Sequence, residues 1–142
     1  MRLLSVPQAI VERFRQAGTP LEPTSDVACS PLLTQFLELE PLRTLLAIAV
    51  ESGQPLRDGL WSAERTPSVH SADEVQTLSS ALADAWVEAE QTPAACDDFF
   101  VGEIRRVVQL FGDAAARGDA VVVLIAPVLD GEGGPEVRVV RD

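Results

Sequence analysis

A chain of 142 residues with 46% hydrophobic and 23% charged side chains has the make-up of an ordinary globular protein, long enough for one domain with a buried core. Its formal charge of −11 and pI near 4.4 argue against the clustered positive surface by which proteins hold nucleic-acid backbones or acidic membranes. All eleven basic residues are arginine; without lysine there is no Schiff-base or P-loop chemistry, and without tyrosine no phenolic general acid.

Arg2 to Val6 reads as a short strand. Ser5-Val6-Pro7-Gln8 then has the form of a capping box, with Ser5 as N-cap and Gln8 reaching back. The helix it opens carries Ile10, Val11 and Phe14 on one face and stops at Gly18; Thr19 to Asp26 reads as a loop. Two helices start near a proline, whose missing N–H suits a first turn: Pro31 to about Glu38, with Leu32, Leu33, Phe36 and Leu37 inward, and Pro41 to about Ser52, closed by Gly53. Leu42, Leu45, Leu46 and Val50 face inward on the second of these. Pro55 to Val69 reads as irregular.

The fourth helix has the strongest signal. Ser71-Ala72-Asp73-Glu74 is a second capping box, and Val75, Leu78, Leu82, Trp86 and Ala89 follow at helical spacing up to a break at Pro93. The fifth, Asp98 to Arg117, buries Phe100, Ile104, Val107, Phe111 and Ala115, with Val101 and Val108 alongside, and ends at Gly118. Ala120 to Ala126 is a continuous apolar run rich in β-branched residues, as in a strand buried on both faces. A glycine-rich turn follows, then a last strand, Glu136 to Arg141, expected antiparallel to the one before. The expected fold is a single, mostly helical α+β domain over residues 1–142, with about five helices. Its small sheet is built from the N-terminal strand and a C-terminal hairpin.

No apolar run reaches bilayer-spanning length, and Met1 to Pro7 carries one positive charge without a long apolar stretch. That pattern predicts no signal peptide and a cytoplasmic location. Cys29 and Cys96 lie outside any C-x-x-C pair, so reduced, buried thiols are expected; whether they pair stays open.

Candidate chemistry is sparse. His70 is the single histidine, with Ser68, Ser71 and Asp73 near it in sequence, but a catalytic base also needs an orienting carboxylate and a nucleophile in space. Asp97 and Asp98, with Glu90 or Glu103, offer oxygen ligands; their place before a helix explains them better as capping residues. The Asp130-Gly131-Glu132 turn lacks the further ligands of a calcium loop, and Gly131, Gly133 and Gly134 precede a strand where a phosphate loop needs a helix. No metal or cofactor is expected.

The charge distribution is the more informative feature. From Thr66 to Ile104, 39 residues pass without an arginine while carrying eight carboxylates, which is −8 of the net −11. Packing like charges this close raises electrostatic energy unless a cation meets them. Asp73, Glu74, Asp84 and Glu88 fall on the polar side of the fourth helix, Asp97 and Asp98 start the fifth, and Trp61 lies in an irregular segment where an aromatic can anchor an interface. A basic protein partner is the expected ligand of these residues.

Three stretches resemble the YfbM-like family of small bacterial cytosolic proteins. They are Arg2-Leu3-Leu4-Ser5-Val6-Pro7 with its helix, Pro55 to Leu60 leading to Ser71 to Val75, and Val108 to Ile125 with Phe111 and the Ala114-Ala115-Ala116-Arg117-Gly118-Asp119 turn. Together they cover about half the chain. Where the family shows a Trp-His-containing helix, this chain reads Leu45 to Gly53 with neither residue. The resemblance implies an α+β fold and a bacterial source, and no activity. The functional expectation is a non-enzymatic binding module, most concretely an immunity or inhibitor protein that neutralises a basic toxin or nuclease. The alternatives are a nucleic-acid mimic and a small enzyme using His70 with a carboxylate.

Overall fold

A computed structural model describes residues 1–30, 33–35, 37–56, 67–91 and 98–124. In chain order the elements are β1 (Arg2–Pro7), α1 (Gln8–Ala17), β2 (Ser25–Ala28), α2 (Leu42–Glu51), β3 (Gln54–Pro55), β4 (Ser68–His70), α3 (Ala72–Glu90), α4 (Asp98–Arg117) and β5 (Asp119–Leu124). The chain is α+β. Its five strands form one sheet in the order β2-β1-β5-β4-β3, and every neighbouring pair is antiparallel.

The apolar run at the end of the chain's described part explains the layering. All six residues of β5 are buried, because it is the central strand and both faces of the sheet are covered. Side chains alternate across a strand, so Leu3, Val121 and Val123 pack with α2, α3 and α4 on one face. Leu4, Val6, Val69, Ala120, Val122 and Leu124 pack on the other with Val11 and Phe14 of α1, Leu21 and Leu56. The helices thus form layers on both sides, three against one face and one against the other.

Helices α3 and α4 form where the apolar periodicity predicts them. Val75, Leu78, Leu82, Trp86 and Ala89 are buried along α3; Ile104, Val107, Val108 and Phe111 along α4, with Leu110 and Ala114 added. Phe100, Val101 and Ala115 pack at the edge of this core. Gly118 ends α4 at φ 73°, a left-handed conformation that glycine adopts without a Cβ penalty. Helix α2 begins after Pro41, and Leu42, Leu46, Ala49 and Val50 face the core with Leu45 half-buried.

Several expectations are overturned. Four helices, not five, occur among the described residues. The helix expected from Pro31 to Glu38 does not form: Leu33–Gln35 is a turn closed by the Leu33 N–H donating to Ser30 O at 3.2 Å, and Leu37–Leu39 is irregular. Pro31, Leu32 and Phe36 lie outside the described residues. The segment is short, and Pro41 disfavours helical conformation at Glu40, so little helical energy is available to set against burying Leu33 and Leu37 directly.

The Ser5–Gln8 capping box is absent as well. Ser5 stays in β1, Pro7 is the N-cap of α1 with no side-chain bond, and Gln8 turns to another helix. The sheet is larger than expected, since β2, β3 and β4 come from stretches that read as loop. Residues 57–66 of the predicted irregular segment lie outside the described residues. So do the turn at 130–134 and the predicted strand Glu136–Arg141. Gly53 does not cap α2 in a left-handed turn: a Cβ there would lie 3.1 Å from Ser68 Cβ, Ser68 Oγ and Val69 N. It is the close approach of β3 to β4 that this glycine permits.

Candidate functional site

Helix α3 carries most of the predicted contact residues. It starts at Ser71, whose side chain accepts from the Glu74 N–H at 3.3 Å, half of the predicted capping box. Glu74 reaches to His70 and not back to the Ser71 N–H, and a different donor at this end, the Ala72 N–H, is met from a distance by Gln8 Oε1 at 2.9 Å. Helix α3 lies between α2 and α4. Gln76 Nε2 donates to Ala115 O near one end, and Arg105 pairs with Glu90 at 3.4 Å near the other, so α3 and α4 run antiparallel.

Asp73, Glu74, Asp84 and Glu88 are all exposed. At about 100° per residue, Asp73, Asp84 and Glu88 fall within an arc of about 60° on the outward side, opposite the buried face. Glu74 sits about 40° beyond that arc, toward His70, and Glu90 lies about 100° beyond its other edge, toward Arg105 on α4. Val87 is 56% exposed and stands between Asp84 and Glu88 in sequence; Ile48 on α2 is 40% exposed. These are the only exposed large hydrophobic side chains among the described residues.

The helix dipole separates the carboxylates into two kinds. Asp73 and Glu74 occupy the first turn of α3, where the exposed N–H groups favour negative charge, so their presence has a local explanation. Glu88 and Glu90 lie in the last turn, where the dipole disfavours them and α3 itself has no basic residue, while Asp84 lies before that turn. Asp84 and Glu88 are also an i,i+4 like-charge pair, unfavourable by about 0.2–0.5 kcal/mol. Of the remaining predicted contacts, Asp98 is the first residue of α4. Asp97 and Trp61 lie outside the described residues.

His70 is 2% exposed at the end of β4. Nε2 stands 2.8 Å from Ala49 O in the last turn of α2, Nδ1 stands 3.4 Å from Glu74 Oε2, and the ring meets Phe111 edge-on at 5.9 Å. Ser68 is buried and Asp73 points outward, so neither joins it in a triad. Glu103 accepts from the Ser30 N–H at 3.3 Å. Among the described residues no group of three or more His, Cys, Asp or Glu side chains is placed to hold a metal ion.

A polar cluster that the sequence reading missed lies on the helix-rich face of the sheet. Ser5 Oγ–H donates to Asp119 Oδ2 at 2.9 Å, and Arg117 donates Nε–H to Asp119 at 3.1 Å and Nη2–H to Ser5 Oγ at 2.8 Å and Ser25 Oγ at 3.1 Å. Ser5 is fully buried, so its hydroxyl ties β1, β2, β5 and the end of α4 together and is closed to any substrate. Its only sequence signal is that a serine interrupts an apolar strand.

Cys29 carries a free, buried thiol. Burial pushes it up to about 11, helped by Glu103 and opposed by the N-terminal ammonium and Arg106. Cys96 lies outside the described residues. No helix of the described residues is long and apolar enough to cross a membrane. No family model, curated protein or solved structure matches this chain.

Proposed function

We propose that the chain is a protein-binding module of the bacterial cytoplasm whose acidic α3 face meets a basic surface. In its most specific form it is an immunity or inhibitor protein that neutralises a cationic toxin or nuclease. The observation that carries this reading is the C-terminal half of α3. There Asp84 and Glu88 are exposed on the outward side of the helix, on the same side as Asp73 and beside the exposed Val87. Asp73 and Glu74 extend the same surface, with Asp97, Asp98 and Trp61 proposed as neighbouring contacts.

Charges of one sign on one face accelerate encounter with an oppositely charged protein, and an apolar spot among them gives the complex something to bury. The nucleic-acid mimic needs two regular rows of charge, and α3 presents one. The His70 enzyme needs a free ring nitrogen, and both nitrogens already face acceptors from within the fold. The non-enzymatic reading is therefore preferred.

The test is capture by wild type and by the double variant Asp84→Arg, Glu88→Arg from a lysate of the source organism, at low salt and again in high salt. A basic protein retained by wild type, released by salt and lost from the variant is the expected result. If the same proteins bind both chains, the acidic face is not the contact surface. Both positions are exposed, so the variant is expected to fold as wild type does, which its melting curve checks.

A further inference from the structure

Both ring nitrogens of His70 face groups that accept hydrogen bonds. Ala49 O lies 2.8 Å from Nε2, in the last turn of α2, where helical carbonyls lack intrahelical partners. A carbonyl oxygen only accepts, so Nε2 carries a hydrogen in either charge state of the ring. Nδ1 faces Glu74 Oε2 at 3.4 Å, and the two protonation states differ here. An imidazolium donates Nδ1–H to the carboxylate; a neutral ring with its hydrogen on Nε2 presents a lone pair to a negative oxygen.

The other groups around the ring do not compete with Glu74. Phe111 of α4 meets it edge-on and carries no charge. On α2, Arg43 and Glu51 are exposed; on α3, Asp73 points outward and Asp84, Glu88 and Glu90 lie further along the helix. On α4, Arg105, Arg106 and Asp113 are exposed and Glu103 bonds to Ser30, while on β5 Asp119 is engaged by Ser5 and Arg117. Glu74 is itself 47% exposed, so its carboxylate has room to leave the ring for solvent.

We infer that His70 and Glu74 form a proton-operated catch that regulates the acidic face. With the ring protonated, Nδ1–H holds the Glu74 carboxylate against β4. With the ring neutral, the facing lone pair expels it toward the outward side of α3. Glu74 lies just beyond the acidic arc, so the catch decides whether it joins Asp73, Asp84 and Glu88 in meeting a partner. Capture of a basic protein is then weaker with the ring protonated than with it neutral. This last step rests on the acidic face being the contact surface; the catch itself does not.

The experiment uses the free, isotope-labelled chain. Its single histidine makes the ring signals unambiguous. The ring nitrogens of His70 and the carboxyl carbon of Glu74 are followed by NMR from about pH 8 to about pH 5, the range in which histidines titrate. The expected result is an inflection of the Glu74 carbon at the pH where the ring titrates, with the Nδ1–H signal of the imidazolium protected from exchange. In Glu74→Ala, which removes the acceptor, that protection is lost. A Glu74 carbon that moves only with the other carboxylates in the acid range, with ring signals the same in both chains, would overturn the catch. The readout needs no partner, so it can fail while the Asp84/Glu88 charge reversal still succeeds, and the reverse.

Discussion

At the scale of single residues, the chain's composition makes one buried group easy to isolate. Cys29 is 6% exposed and its thiol is raised from about 9 to about 11, chiefly by desolvation. The native state therefore keeps a proton that the unfolded state has released between those two values. Stability falls as pH rises through that window, because the folded chain binds more protons there. No lysine or tyrosine titrates alongside it. Melting temperatures of wild type and Cys29→Ala should diverge less at pH 10.5 than at pH 8, by an amount corresponding to about 2 kcal/mol; Cys96 is present in both chains and cancels. A constant difference across this range would show that the thiol is not protected. Sequence spacing anticipated a reduced, buried thiol at Cys29 but not the core it joins, which also holds Leu33 and Ile104.

At the scale of elements, the long amphipathic helices were legible and the short pieces were not. Helix α4 spans Asp98–Arg117 as its periodicity indicates, because 20 residues carry enough repeats to define a face. Strands β2, β3 and β4 are four, two and three residues long. Such segments have no measurable period and exist because β1 and β5 offer them backbone partners. Caps followed the same division. Ser71 was readable from its neighbours, whereas Gln8 caps α3 from 64 positions away. Gln8→Ala should cost about 1 kcal/mol in urea denaturation, the usual worth of a helix cap. Hydrogen exchange should accelerate at Ala72 and not in the first turn of α1. Protection lost from α1 instead would restore the local capping box.

The buried Asp119 belongs to this scale too, since it joins three strands and a helix through Ser5, Ser25 and Arg117. Replacing it by alanine leaves the fully buried Ser5 hydroxyl without its acceptor and should destabilise by about 2 kcal/mol. The exposed Asp113→Ala serves as the comparison, expected to move the denaturation midpoint little.

At the scale of the whole molecule, a net charge of −11 repels itself in the folded state more than in the expanded one. Raising sodium chloride from about 0.02 to about 0.3 M shortens the screening length severalfold and should raise the melting temperature. A flat or falling curve would mean that ion pairs such as Arg117–Asp119 outweigh the repulsion.

The same sequence logic located the acidic surface but not its geometry. Asp73, Glu74, Asp84 and Glu88 could be placed on one helix because helical spacing is a local property. That Glu74 turns from that surface to His70, a contact four residues back along the chain, depends on β4 seating the ring beneath α3.

Composition, periodicity and charge by themselves determined an α+β chain, the two long helices, the doubly buried strand and an acidic helix face. These follow from residues within a few positions of one another. Only the tertiary structure decided the order β2-β1-β5-β4-β3, the loss of the helix after Pro31, the destination of Gln8 and the closure of Ser5 and His70. Each of those outcomes is a competition between a local preference and a partner distant in sequence. The partner prevailed wherever burial or a hydrogen bond offered more than the local turn could.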